Sequence, residues 1–170
     1  MRLRLRLRHC MTTEVRTREL WVVDGTQIPV HDQMRSAKNK NYRRSVNVRI
    51  VCRARDRRVV AVDEAWPDNR NDVVVLRGTL DTTQPDHPSL SGDGDYREGG
   101  RISTLRCGTD GRIVKDRNYR PFRKRRAVAE HVISRLTDHL ILRQCRRRGD
   151  AINHAAAGIA ALHDLKLDIR

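Results

Sequence analysis

A chain of 170 residues is long enough for one domain with a buried core, and it carries 36 Lys and Arg against 21 Asp and Glu, a formal charge of +15. That balance favours a polyanionic partner, nucleic acid first, and arginine's flat fork suits phosphate oxygens. Four scattered cysteines (Cys10, Cys52, Cys107 and Cys145) with no CxxC pair argue against zinc and for reduced thiols. No apolar run reaches membrane-spanning length, and at 4% aromatic residues are too scarce for a single-strand binder built on stacked bases.

Residues 1–18 read as a basic, disordered tail. Its first eight residues alternate Leu and Arg with strand rather than helical periodicity, unlike a transit peptide, and Met11 is an alternative initiator. Glu19 to Val30 is an apolar strand that reaches Asp24 before a Gly turn. Asp32 to Arg44 is polar and basic, and reads as a loop. In Ser45 to Arg55, Val46, Val48, Ile50 and Cys52 fall on one face of a strand. The short link Ala54 to Arg57 joins it to a second β-rich run through Ala65, so a hairpin is expected. Pro67 to Asn71 is a turn, and Asn71 or Asp72 caps a helix through about Leu80. A proline-containing loop follows, then a short strand, Ser89 to Gly92, leading to Asp93. Ile102 to Leu105 is another short strand, and Cys107 to Tyr119 is polar and turn-rich. A long helix is expected from Pro121 to Arg143, with Val128, Val132, Leu136 and Leu140 as its apolar stripe. Asp150 caps a last helix through about Leu165, with Ile152, Ala156, Ile159 and Leu162 inward. This order fits an α/β fold of the ribonuclease-H-like kind, a mixed sheet flanked by helices, in residues 19–170. The absence of a Gly-rich phosphate loop after the first strand speaks against a doubly wound nucleotide-binding fold.

Three carboxylates stand out by position. Asp24 ends an apolar strand, Asp93 follows a short apolar segment, and Glu130 lies on the long helix. Acidic side chains from separate elements, converging on one point, are what phosphoryl transfer on DNA needs to hold two hard divalent cations. Oxygen ligands suit Mg²⁺ or Mn²⁺. At about 100° per residue, Arg126, Glu130 and Thr137 line up beside the apolar stripe, so Glu130 belongs at the edge of the buried face. Two arginine-rich runs flank that helix. One contains Arg123, Lys124, Arg125 and Arg126; the other contains Arg146, Arg147 and Arg148. Both have the composition of a phosphate-gripping surface.

Seven strings occur in order: Val-Asp-Gly-Thr at 23–26; Lys-Asn-Tyr at 40–42 with Ser-Val-Asn at 45–47; Pro-Asp-Asn-Arg-Asn-Asp at 67–72; Gly-Asp-Gly-Asp-Tyr-Arg at 92–97; Arg-Ala-Val-Ala-Glu-His at 126–131; Ile-Leu-Arg-Gln-Cys-Arg-Arg-Arg-Gly at 141–149; and Ala-Leu-His-Asp-Leu-Lys at 161–166. Together they resemble the insertion-sequence transposases of the DDE endonuclease superfamily, actinobacterial type, over about Leu20 to Lys166. The resemblance implies that Asp24, Asp93 and Glu130 are catalytic and hold two Mg²⁺ or Mn²⁺ ions. Asp95 competes for the second position, Asp72 is a supporting acid, and Arg126 contacts phosphate or orients Glu130. It also implies double-stranded DNA as partner (transposon ends and target), a homodimer on DNA, no membrane, and a cytoplasmic, nucleoid-associated protein. Four positions depart from the family pattern: Asp68 and Asp95 stand for Gly, Thr137 for Lys, and Asp164 for Asn. No helix-turn-helix fits before Asp24, so the expected reading is a truncated catalytic half or the second part of a split or frameshifted gene. The activity is strand cleavage and strand transfer, with an inactive DNA-binding remnant as the alternative.

Overall fold

A computed structural model describes residues 19–38, 44–68, 89–96 and 102–169, with Asp95 described by its backbone alone. The expected tail 1–18, the helix near 71–80 and Asp72 lie outside the described residues.

The sheet is organised by β1 (Leu20–Pro29) and β3 (Arg44–Arg53), which pair antiparallel from Trp21 opposite Arg53 to Pro29 opposite Ser45. Side chains alternate across a strand, so each strand serves two faces. Val22 and Ile28 join Val46, Val48, Ile50 and Cys52 on one face, and Trp21, Val23 and Val51 lie on the other. The alternation expected in β3 is therefore present. A turn at Ala54–Asp56 leads into β4 (Val59–Val62), antiparallel to β3, as the hairpin reading required. The expected loop after β1 contains a short strand, β2 (Ala37–Lys38), on the edge of β3. β5 (Trp66–Pro67) also pairs with β3, where a turn was expected.

On its other side β1 pairs in parallel with β6 (Ser89–Ser91), and β6 with β7 (Ile102–Ser103). The order is β2-β3-β1-β6-β7, with β4 and β5 added on β3. It is a mixed sheet flanked by helices, the ribonuclease-H-like α/β class that the element order led to.

The described helices pack on the face of Val22 and Ile28. Helix α1 (Tyr119–Thr137) buries Phe122, Ala129, Val132 and Leu136. It ends earlier than expected. His139 is extended (φ −78°, ψ 121°), and a four-residue helix, α2 (Leu140–Arg143), starts afresh. The reason is local: the Thr137 hydroxyl donates to the carbonyls of Ile133 (3.0 Å) and Ser134 (2.9 Å), and Thr, Asp and His are weak helix formers. The break puts Leu142 in the core and leaves Leu140, expected in the stripe, 69% exposed.

Helix α3 (Ala151–Asp168) buries Ile152, Ala156 and Ala160. Leu162, expected inward, faces solvent, and His163 and Asp164 are buried in its stead. Backbone hydrogen bonding explains the choice. Asp164 Oδ1 accepts the Val59 N–H at 2.9 Å, and His163 Nε2 donates to the Arg57 carbonyl at 3.1 Å. Arg57 itself is left-handed (φ 64°), a conformation that costs a side-chain-bearing residue on the order of 1 kcal/mol and that this anchor holds. Asp150 precedes the helix but makes no side-chain cap; its carboxylate pairs with Arg35 at 2.5 Å.

The anchor is separable by mutation. Asp164→Asn keeps the acceptor and removes a charge that burial disfavours, so it is expected to leave thermal stability unchanged or higher at neutral pH. Asp164→Ala orphans the Val59 N–H and is expected to cost about 1–3 kcal/mol in urea unfolding. Equal stability of the two variants would contradict the anchor.

Candidate active site

The strand does not end at Asp24 in a Gly turn, as expected, because Gly25 to Pro29 stay paired with β3; Asp24 sits mid-way along β1, on the face covered by α1, between Val22 and Ile28 of the core. The β1–β6 register pairs Leu20 with Ser89, Trp21 with Leu90 and Val22 with Ser91. Asp24 and Asp93 each follow the last pair, Val22 and Ser91, by two residues, and Asp93 acts on the Asp24 carboxyl. The chain then closes a 3-10 turn, Gly94–Tyr96, and Tyr96 is buried against Trp21, Leu90 and Ile102. Gly92 fits because a Cβ there would meet the Tyr96 ring at 2.9 Å. Gly25 has the same kind of reason: a Cβ there would lie 2.7 Å from Asn47 Oδ1.

Helix α1 supplies the other charges. Arg126 pairs with Glu130 one turn on, at 3.5 Å, with side chains 24% and 57% exposed. Glu130 therefore sits at the rim of the helix–sheet seam, next to buried Ala129, where the helix geometry expects it. Burial pushes the Asp24 carboxyl up to about 6 from its ordinary 3.8; Arg126 and the Gly25 N–H (2.9 Å from Oδ1) pull it down, while Asp93 and Glu130 push it up. Asp24, Asp93, Glu130 and Arg126 thus share one electrostatic neighbourhood. Among the described residues, no three His, Cys, Asp or Glu side chains are drawn together tightly enough to hold one ion as they stand. The donor set itself fits a hard divalent cation, being carboxylate oxygen without thiol or imidazole. Cys52 is the nearby thiol, and burial first, then Asp24, push it up to about 12, so it stays protonated.

The departures noted in the sequence are absorbed in different ways. Asp68 needs no glycine-like backbone, because among the described residues the only non-glycine with positive φ is Arg57; Asp68 Oδ2 accepts the Ser45 hydroxyl at 2.5 Å. Position 95 lies in the right-handed 3-10 turn, where Gly is not required. Asp164 uses the carboxylate oxygen as Asn would use its amide oxygen. Thr137 spends its hydroxyl on the helix backbone and brings no cation.

The two basic runs are not adjacent. Arg123, Lys124 and Arg125 are exposed on the first turns of α1; Arg123 lies over the Tyr119 ring at 5.9 Å and Arg125 over Phe122 at 5.8 Å. Arg146, Arg147 and Arg148 are exposed beyond α2. There Cys145 bridges Val30, with its N–H on the Pro29 carbonyl at 2.9 Å. About 17 Å of α1, from Arg126 to Thr137 at 1.5 Å per residue, lies between them. A cleft of about 560 Å³ near the second run is lined by Arg44, Arg143, His31 and Gln144 among others. The sequence did not single out Arg44 or His31. Arg44 was visible as the last cation of a basic loop, but its link to Arg143 depends on the Val30–Cys145 bridge.

Among the described residues, no helix is long and apolar enough to cross a membrane. The family model described as "Transposase DDE domain" matches residues 16–163. A Streptomyces albus G protein named as a transposase for insertion sequence element IS112 is 34% identical over 149 residues, 86% of this chain. The chain spans 58% of that relative's length. No solved structure matches.

The raised Asp24 carboxyl has a consequence for stability. Between about 3.8 and about 6 the folded chain keeps a proton that the unfolded chain has lost. Stability therefore falls as pH rises through that window and stays lower above it. The rise from 3.8 to about 6 corresponds to about 3 kcal/mol, or about 2 kcal/mol after allowing for the carboxylate's remaining contact with solvent. Asp24→Asn is expected to be more stable than the parent by about that amount above about pH 7, and to match it below about pH 4. Urea unfolding across this range checks it; a difference independent of pH would be the contrary result.

Proposed function

The chain belongs to the transposase DDE-domain family, and on that premise we propose that residues 19–170 form a catalytic domain for metal-dependent cleavage and strand transfer on duplex DNA at insertion-sequence ends. The observation that carries this reading is the shared field of Asp24, Asp93 and Glu130, three carboxylates from three separate elements, with Asp24 buried enough to be pushed up to about 6. Like charges that share one field, one of them half-buried, destabilise a fold. A chain that keeps them there is ready for an opposite charge to arrive.

Asp24, Asp93 and Glu130 would hold two Mg²⁺ or Mn²⁺ ions. When bound, such ions polarise the scissile phosphate and favour the ionised form of the attacking oxygen. The chain's own residues do the rest. Burial and the Gly25 N–H fix the Asp24 carboxylate on a rigid strand. Arg126 offsets the acidic field, and its contact with Glu130 must yield for Glu130 to turn toward Asp24. Arg123, Lys124 and Arg125 grip the DNA backbone near the site, and Arg146, Arg147 and Arg148 do so farther away. Asp72 and Asp95 are the supporting acids of this reading. A homodimer on DNA, working in the cytoplasm at the nucleoid, belongs to the same reading.

A second reading is DNA binding without turnover. It is favoured by the separation of the carboxylates as they stand and by Thr137, which leaves the helix face beyond Glu130 without a cation.

The two readings part in a nicking assay on supercoiled DNA carrying the element's ends. The catalytic reading expects product with Mg²⁺ or Mn²⁺ and none with chelator. It also expects a loss of roughly a hundredfold or more for Asp24→Asn and for Glu130→Gln. Metal-dependent nicking that survives both substitutions overturns the assignment, and salt-sensitive binding with no product leaves the second reading standing.

A further inference from the structure

Between β7 and α1 the chain forms a small β-hairpin. Cys107 bridges Ile113 in antiparallel fashion. The Gly108 N–H donates to the Arg112 carbonyl at 2.8 Å, the Val114 N–H to Arg106 at 2.9 Å, and the Gly111 N–H to Gly108 at 3.0 Å. Asp110 Oδ1 accepts the Arg112 N–H at 3.0 Å. Gly111 is left-handed (φ +74°), and an added Cβ there would meet nothing within 4 Å, so glycine serves the turn and not the packing. The backbone is therefore stapled at several points.

The side chains face outward. Those of Arg106 and Arg112 are 80% and 89% exposed, and their nearest carboxylates, Asp116 and Asp110, stand 3.7 and 3.9 Å away, beyond hydrogen-bond length. Ile113 is 47% exposed. A hairpin pinned by its own hydrogen bonds, with a cation and a β-branched apolar residue exposed where its second limb leaves the turn, contributes little to the core, whereas for binding its ordering cost has already been met.

One foot stands beside the candidate site and the other at the start of the helix that carries Glu130. The Gly92 N–H donates to the Ser103 carbonyl at 3.0 Å, so the strand leading into the hairpin adjoins the residue before Asp93. The outgoing limb enters α1 through Asp116, whose carboxylate accepts the Asn118 N–H at 2.8 Å and whose carbonyl accepts the Tyr119 N–H at 3.1 Å.

We propose that the hairpin Arg106–Val114 is a DNA finger that places Arg112 in the minor groove of the duplex beside the carboxylate site, with Ile113 pressed against a base step. A phosphate contact would satisfy Arg112 but give Ile113 no apolar partner. The minor groove attracts arginine through its negative potential and accepts apolar wedges between base steps. The finger rests on the proposal that the chain acts on duplex DNA.

The test is fluorescence anisotropy of the full chain with a labelled duplex containing an A·T tract and 2-aminopurine. Netropsin serves as minor-groove competitor. Netropsin is expected to compete with the parent chain. Arg112→Ala is expected to weaken binding about tenfold, an effect typical of losing one arginine groove contact. Ile113→Ser is expected to keep most of the affinity and lose the 2-aminopurine signal of unstacking. Thermal melts that match the parent show that neither variant has lost its fold. If the parent binds but both variants behave like it and netropsin has no effect, the finger is wrong and the DNA reading stands. If the parent binds no duplex, the DNA reading fails and the finger with it.

Discussion

The burial of a carboxylate on the central strand is the constraint around which this protein is arranged. Asp24 lies between core residues Val22 and Ile28, on the face that α1 covers. A charge in that position loses hydration that a fully exposed aspartate keeps, and the rise of its carboxyl to about 6 expresses that loss. Asp93 and Glu130 add to the strain, and Arg126 with the Gly25 N–H relieves part of it. A fold optimised for stability alone would put Asn or an apolar residue there. Keeping the carboxylate makes sense when a cation is to be bound.

The rest of the fold holds this point steady. β1 is paired along its length with β3, Asp24 opposite Ile50, and its first residues also pair in parallel with β6, so Asp24 has little backbone freedom. The parallel pairing carries Asp93 to it, and α1, packed through Phe122, Ala129, Val132 and Leu136, brings Arg126 and Glu130. Helix α3 supports the arrangement from behind by anchoring the β3–β4 hairpin through His163 and Asp164. The cations are spread over both ends of α1 and the hairpin before it, which suits an extended polyanion better than a small anion.

Much of this was legible in the residues. The two-residue period of Val46, Val48, Ile50 and Cys52 defined β3 and its inward face, and the spacing of Val132 and Leu136 defined the buried side of α1. The three carboxylates were recognisable from their local strings, and Asp93 and Glu130 both act on the Asp24 carboxyl. What was not legible depended on partners distant in sequence. Leu162 looked like a core residue by period alone, but backbone groups at Arg57 and Val59 required His163 and Asp164 on that face. The break at His139 depends on side-chain competition at Thr137, which a hydrophobic stripe does not reveal. The hairpin at Cys107–Ile113 was hidden in a polar stretch, although Gly108-Thr109-Asp110-Gly111 carried the turn chemistry for it.

The central claim is that the strained carboxylates are built to receive divalent cations. The most direct measurement is a Mn²⁺ titration of the full chain followed by electron paramagnetic resonance, without DNA, for the parent, Asp24→Asn, Glu130→Gln and His131→Ala. The account predicts Mn²⁺ uptake by the parent and by His131→Ala, competed by Mg²⁺ and strongly weakened in the other two. Uptake that is unaffected by Asp24→Asn and Glu130→Gln, or no uptake by the parent above the Asp24 titration, would contradict it.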